Sequence, residues 1–146
     1  MTKSKFGFKV MYRDGEPLYA PTDLRLDLTG NWNTAIDPVS REPVKKPIIC
    51  YSGIHVWNTL KDAFFDLAWT WTGRLFLFEI KEKIGTSEDG EKSAGLKGRA
   101  VFEFDIEKYE PLYQLLEESV ERVLKMHKDL SSQLQKAISE GKLLIK

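Results

Sequence analysis

The sequence predicts a small α+β protein with one domain: a mostly antiparallel sheet, one short packed helix and a long C-terminal helix. Apolar residues alternate with other residues along 5–12 and 100–105, which is the period of a strand. Residues 60–71 carry apolar side chains at helical spacing, as do residues 112–138. A chain of 146 residues matches the usual size of one domain. We therefore assign residues 1–108 to the α+β body and residues 109–146 to a C-terminal helix of the same domain, long enough to project from it.

The first part of the chain predicts short strands and a long irregular segment. Phe6, Phe8, Val10 and Tyr12 alternate in a half-buried strand, followed by an Asp14-Gly15 turn. The leucines of 24–28 alternate with charged residues and predict a further strand. Residues 31–47 contain three prolines and little periodicity, so we expect a surface excursion, with a brief apolar strand at 48–50.

The short helix has a recognisable start and two apolar faces. Thr59 is a candidate N-cap, with Asp62 three residues later. One apolar stripe runs along the helix, and Phe65 and Trp69 form a second apolar pair. A helix with two apolar faces is expected to lie between a sheet and another helix, and Gly73 is its expected C-cap.

Residues 74–80 are apolar on both faces, which predicts a central strand paired antiparallel with 100–105. Glu79 within this run requires a basic partner, for which Arg74, Lys97 and Arg99 are candidates. Residues 82–98 between the two strands combine four glycines with many charged side chains. We expect this segment to be a mobile loop.

The C-terminal helix is expected to be continuous over 109–139, because neither Pro nor Gly interrupts it after its first turn. Leu130, Leu134 and Ile138 form a narrow stripe among polar residues. So narrow a face suits a partner helix. The sequence therefore predicts docking of a protein partner, or formation of a homo-oligomer, through this helix.

Composition excludes several classes of protein. The 22 basic residues balance 22 acidic ones, and basic residues do not cluster along the chain beyond Lys45-Lys46, so no nucleic-acid partner is expected. Two histidines and one cysteine predict no metal site. No apolar run has the length of a membrane span, so no membrane partner is expected either. The lone cysteine and polar N-terminus predict a cytoplasmic protein, in the host cytosol if a phage encodes it.

One short motif resembles a known type of domain. Cys50-Tyr51-Ser52-Gly53-Ile54-His55 precedes the short helix and is followed by a strand that ends in a Glu-hydrophobic pair and by an acidic loop. This order resembles a small uncharacterised domain of phages and bacteria with a C-x-x-G-x-H signature. The resemblance covers about residues 5–110 and implies an accessory protein of phage or mobile-element type.

The same order is similar to compact ADP-ribosyltransferases of the rifamycin-modifying kind. The segments His55–Thr59 and Arg74–Glu79 stand where that family has a strand bearing H-V-Y-x-T and a strand of the type R-I-Y-I-V-E. The resemblance implies NAD as cofactor, with Trp57 stacking on nicotinamide. It also implies a carboxylate from Glu88 or Asp89. Arg13 would anchor the substrate, although it stands in Tyr12-Arg13-Asp14 where the family has His-Gly-Thr.

Three functional hypotheses follow from the sequence. The first is an accessory protein that binds a protein or a small nucleotide-like ligand, with Arg13, His55 and Trp57 as its ligand-binding residues. The second is an NAD-dependent transferase, whose candidate catalytic residues are Arg13, His55, Trp57, Glu88 and Asp89. The third is an assembly protein that oligomerises through its C-terminal helix.

Overall fold

Over the residues that it describes, the computed structural model shows an α+β protein with one sheet, one short helix and one long C-terminal helix, as predicted. The residues that the structure describes are 4–12, 16, 18, 24–49, 51–69, 73–107, 109 and 119–145. Arg13, the Asp14-Gly15 turn and Cys50 lie outside them. No helix in these ranges has the length and apolar character needed to cross a bilayer.

Seven antiparallel strands form the sheet, in the spatial order β2-β7-β4-β1-β3-β6-β5. Their bounds are Ser4–Met11 (β1), Asn33–Thr34 (β2), Ile54–Trp57 (β3), Arg74–Lys81 (β4), Gly85–Thr86 (β5), Lys92–Gly95 (β6) and Lys97–Glu103 (β7). The helices are α1, Leu60–Trp69, and α2, Val120–Glu140. Each of the two edge strands, β2 and β5, is only 2 residues long.

Strand β4 lies at the centre of the sheet, as its apolar run predicts. It pairs with β1 from Ser4↔Lys81 to Met11↔Arg74, and with β7 on its other side. Phe76 and Phe78 are fully buried on one face, and Leu75 is fully buried on the other. The predicted partner of Glu79 is Arg99, whose Nε and Nη2 lie 2.8 and 2.7 Å from Glu79 Oε1.

The two faces of the sheet carry two separate hydrophobic cores. The helix-side core joins β1, β3, β4 and β7 to both helices through residues such as Trp57, Leu67 and Leu130. The loop-side core contains Phe76 and Phe78. It is covered by four half-buried side chains: Leu26, Leu28, Val44 and Ile84.

The predicted strand at 24–28 and the expected strand at 48–50 are wrong. Residues 24–28 form a loop in which Asp27 replaces strand pairing with side-chain hydrogen bonds: Thr29 N–H donates to Asp27 Oδ1, and Asp27 N–H donates to Asn33 Oδ1. Ile48 makes only an isolated bridge to Ser52. The surface excursion at 31–47 is correct for most of its length, but it contains β2 and the buried Ala35.

Helix α1 begins as predicted but is not covered on its second face. Thr59 Oγ1 accepts from Asp62 N–H at 3.1 Å and donates to Asp62 Oδ2 at 2.8 Å. Phe64 is half-buried, with its ring edge-on to His127 at 5.7 Å between centroids. Phe65 is 67% exposed, which contradicts the expectation that both faces of the helix are covered. The residues just before the expected C-cap at Gly73 lie outside the described ranges.

The mobile loop expected at 82–98 is instead a hairpin of β5 and β6, followed by the start of β7. Ser93 and Ala94 are fully buried, and β6 pairs with β3 along its whole length. Two of the four glycines, Gly95 and Gly98, serve close packing: a Cβ on Gly95 would lie 2.9 Å from the carbonyl oxygen of Lys81. Composition alone does not separate a glycine that allows close approach from one that confers mobility.

The C-terminal helix begins at Val120, after the extended N-cap Ser119, and folds back on the sheet; residues 110–118 of the predicted span lie outside the described residues. It begins after Ser119, an N-cap with φ −162° whose Oγ accepts from Arg122 N–H, and it ends at Gly141 in the left-handed conformation with φ 66°. Leu130, predicted to contact a partner, is fully buried in the helix-side core, and Leu134 packs against the same core. Only Ile138 of the predicted stripe is exposed, at 53%. The helix therefore does not project.

Candidate functional site

Five side chains converge where β1, β3, β6 and α1 meet, and we call them the lysine–tryptophan cluster. Its members are Lys9, His55, Trp57, Asp66 and Lys92. Sheet pairing brings three of the elements together, since Trp57 lies opposite both Phe8 of β1 and Lys92 of β6. The cap at Thr59 then turns the chain into α1, which returns Asp66 to the indole.

Trp57 is held on two sides and is 8% exposed. Its Nε1 donates to Asp66 Oδ2 at 2.7 Å. Lys92 Nζ lies 4.4 Å from the ring centroid, a cation–π geometry, and the Phe65 ring lies 6.1 Å away. A ring in this position is not an open stacking platform. The role on nicotinamide implied by the transferase resemblance therefore does not fit Trp57.

Lys9 carries a desolvated ammonium group. Its Nζ donates to the backbone oxygen of His55 at 2.8 Å. Burial lowers the pKa of Lys9 to about 8, and the charge of Lys92 adds to this effect while the Asp66 carboxylate opposes it. Lys9 therefore remains mostly protonated at pH 7 in an environment that only partly compensates its charge.

His55 is present in the cluster as a neutral ring. Its Nδ1 lies 3.1 Å from the backbone oxygen of Gly53, and a carbonyl can only accept, so Nδ1 carries the proton. Burial and then the nearby Lys9 charge lower the pKa of His55 to about 4. At pH 7 His55 is therefore a polar group without charge.

Two lysines of the cluster face a single carboxylate. Asp66 is 5% exposed, and its Oδ2 is bonded to the indole of Trp57. Lys9 and Lys92 come from strands on either side of β3. Within these five described side chains, two positive charges and one negative charge lie beside a neutral imidazole. Such a site favours an anion over a cation or a neutral molecule.

The expected catalytic carboxylates lie at the tip of the β5–β6 hairpin. Glu88 and Asp89 are exposed, and Asp89 Oδ1 accepts from Ser87 Oγ and from Glu91 N–H. These hydrogen bonds lower the pKa of Asp89. The Asp89 carboxylate is thus occupied in forming the turn, which is a structural role.

Asn58 ties this hairpin tip to the strand that carries the cluster. Asn58 Nδ2 donates to Gly90 O at 2.6 Å, Asn58 N–H donates to Glu91 O at 2.8 Å, and Asn58 Oδ1 accepts from Ser93 Oγ at 2.9 Å. Asn58 directly follows Trp57, so the tip lies beside the cluster. Glu88 and Asp89 therefore lie near the cluster, because Asn58 holds the hairpin tip there, but they are not members of it.

Sequence reasoning found His55 and Trp57 but missed Lys9, Asp66 and Lys92. Lys9 occupies a polar position of an alternating strand, which is the usual place of a solvated side chain. Asp66 offered a signal, because it interrupts the apolar run of α1 between Phe65 and Leu67. A carboxylate at such a position requires a buried partner, which here is the indole of Trp57.

Comparisons with protein-family models, with curated proteins and with solved structures find no match for this chain. The resemblances to the C-x-x-G-x-H domain and to the ADP-ribosyltransferases therefore stay predictions from the sequence.

Proposed function

We propose that the protein is a binding protein for a small anionic ligand of the nucleotide type, held at the lysine–tryptophan cluster. The observation that supports it is that Lys92 lies over the Trp57 ring and Lys9 donates to the backbone oxygen of His55, two residues earlier on the same strand, beside the Asp66 carboxylate that accepts from the indole. A phosphate group would add negative charge beside the two ammonium groups. Lysines are point charges well suited to binding phosphate.

The surrounding groups support a ligand with polar edges as well as charge. Lys9, His55, Asn58 and Lys92 are each half-buried. A phosphate would bind to the ammonium groups, and the polar edge of a base or sugar would meet His55 or Asn58. The transferase hypothesis requires an open face on Trp57 for stacking and a catalytic carboxylate such as Asp89. Binding of a ligand involves no covalent step and requires neither.

This proposal keeps the first of the three functional hypotheses and gives the others less support. The transferase hypothesis uses Trp57 as a stacking surface, whereas Trp57 is buried and covered by Lys92. The assembly hypothesis uses Leu130, whereas Leu130 is fully buried in the core of its own chain.

Titration calorimetry with ADP at pH 7 and low salt tests the proposal. We expect a Kd below about 1 mM and weakening of about tenfold or more in Lys9→Met and in Lys92→Met. Lys128→Met, on the exposed surface of α2, is the matched control and should bind ADP as the wild type does. Adenosine, which lacks phosphate, should bind much more weakly than ADP.

Two outcomes would overturn the proposal. One is the absence of ADP binding at millimolar concentration in the folded wild-type protein. The other is equal affinity for ADP and adenosine, which would remove the anion from the argument. Release of free nicotinamide from NAD, lost in Trp57→Phe, would instead favour the transferase hypothesis.

A further inference from the structure

Basic residues that are far apart in the sequence meet at one end of the sheet. We call the following residues the basic end: Lys5, Lys45, Lys46, Lys81, Lys83, Lys97 and Arg99. Register places Lys81 opposite Lys97, and Lys5 opposite Ile80 beside it. Lys83 Nζ donates to Lys45 O at 3.1 Å, which brings the loop lysines to the same end.

The two carboxylates described within these strand ends are already paired with members of the basic end. Glu79 is bonded to Arg99, and Glu82 Oε2 lies 3.8 Å from Lys97 Nζ. The remaining five members add positive charge without a matching acid on these strand ends. Lys45, Lys46 and Lys83 are exposed.

Charge is therefore segregated along the sheet although the whole chain has a formal net charge of zero. At the opposite end of β7, Glu103 is paired with Arg74, and the chain continues into Asp105 and Glu107. The expectation that no nucleic acid binds depended on spacing along the chain, where only Lys45 and Lys46 are adjacent. The fold assembles a positive surface that this spacing conceals.

Two aromatic residues accompany the cations. Phe6 is 50% exposed and lies opposite Glu79, which in turn lies opposite Arg99, so the three residues form one row across β1, β4 and β7. Trp32 directly precedes β2 and continues this row. Its ring centroid lies 3.9 Å from Lys81 Nζ and 4.4 Å from Arg99 Cζ. The indole thus holds two long cationic side chains in place.

We propose that the basic end binds single-stranded nucleic acid, with the lysines contacting phosphates and Phe6 stacking on an unpaired base. Charge complementarity favours a polyanion, because five cations are spread over two strand ends and the adjoining loops and exceed what one small anion needs. An exposed ring on a sheet favours a single strand, since bases inside a duplex cannot reach it. This surface is built from other residues than the lysine–tryptophan cluster.

Fluorescence anisotropy with labelled single-stranded 20-mers of DNA and RNA tests the proposal. We expect binding that weakens by at least tenfold between 50 and 200 mM salt, as expected for several phosphate contacts. Lys81→Ala combined with Lys83→Ala should weaken binding about tenfold and lower the salt slope by about 1.4. Phe6→Ala should weaken binding about fivefold or more, because one base loses its stacking partner.

Matched controls separate this surface from general charge and from the first site. Lys125→Ala combined with Lys128→Ala removes the same charge from exposed positions of α2 and should leave binding unchanged. Lys92→Met should also leave it unchanged. Lys45 and Lys46 lie in an exposed loop, so the double variant Lys45→Ala, Lys46→Ala is expected to fold. It should weaken binding even if the variant with Lys81→Ala and Lys83→Ala fails to fold.

Three results would overturn the proposal. The first is the absence of salt-dependent binding to either 20-mer. The second is equal weakening by the α2 control. The third is loss of selectivity for single strands. It would be seen if the protein bound a duplex, or vesicles containing phosphatidylserine, as tightly as it binds the single-stranded 20-mers.

Discussion

The two faces of the sheet are buried in different ways. Regular elements, α1 and α2, cover the helix-side core, and their side chains enter it at helical spacing. Loops cover the loop-side core, which receives Leu26, Leu28, Val44 and Ile84 from irregular segments. The difference teaches that a fully buried face does not require periodic sequence on the element that covers it. It requires only that the backbone polar groups of the loop find partners.

The largest expected effect tests whether the loop-side core is as well packed as the helix-side core. Phe78→Ala should lower the free energy of unfolding by about 3–5 kcal/mol, because Phe78 is fully buried beneath the loops. Urea denaturation measures it, with Phe65→Ala, a substitution at a 67% exposed position, as control. A loss for Phe78→Ala below about 1 kcal/mol would mean that the loops form a loose cover.

The next effect tests the helix-side core at the point where the sequence predicted a partner. Leu130→Ala should cost about 2–5 kcal/mol in the isolated protein, since Leu130 is fully buried against its own chain. Ile138→Ala, on the same helix and exposed, should change stability by less than about 0.5 kcal/mol. If Leu130→Ala instead altered only the mass in light scattering, the partner prediction would stand.

Acid unfolding distinguishes the polar cluster from both apolar cores. The pKa of His55 is about 4 in the folded chain, below its ordinary value of 6.5, so the unfolded chain binds the proton first. Stability should therefore fall as the pH drops from 6.5 to 4, by on the order of 2 kcal/mol from this residue. Thermal melts of His55→Asn over this range should show a shallower decline than wild type. Parallel declines in the two proteins would contradict the assignment.

The smallest effect concerns the loop cover itself. Asp27→Ala should cost about 1 kcal/mol at pH 7, because its carboxylate accepts hydrogen bonds from Thr29 and Asn31 that shape the loop. These bonds lower the pKa of Asp27, so its contribution is present at neutral pH and lost as the pH falls through that lowered value. Asp27→Asn, which keeps part of the hydrogen bonding, should cost less than Asp27→Ala in the same urea assay.

The contrast between the faces also explains how much of the fold the sequence could predict. Strand β4, its antiparallel pairing with β7 and the start of α1 follow from local periodicity and capping, and they were predicted, whereas the pairing of β4 with β1 was not. The hairpin of β5 and β6 was predicted as a mobile loop, because its order depends on pairing with β3, which is distant in sequence. The start of α2 was placed too early, because the apolar spacing of residues 112–138 runs past the N-cap Ser119 without a break and so does not mark it.

The candidate site shows the same limit. His55 and Trp57 lie in one motif and could be found together, but their surroundings come from three other elements. Lys92 lies over the indole because of the register in which β3 pairs with β6. No local pattern in the sequence encodes that register. The basic end is concealed for a related reason, since its members are spread from Lys5 to Arg99 along the chain.

The short outer strands of the sheet have a consequence for how the protein behaves at high concentration. An exposed strand edge is a template on which another chain can add its own backbone. The edge strands β2 and β5 are only 2 residues long each. Along β7, past the residues that pair with β2, the backbone N–H of Leu144 donates to the backbone oxygen of Val101. The C-terminal tail thus closes part of the β7 edge that β2 leaves open. Removal of the last few residues would therefore expose a longer stretch of β7 to strand addition by a second chain.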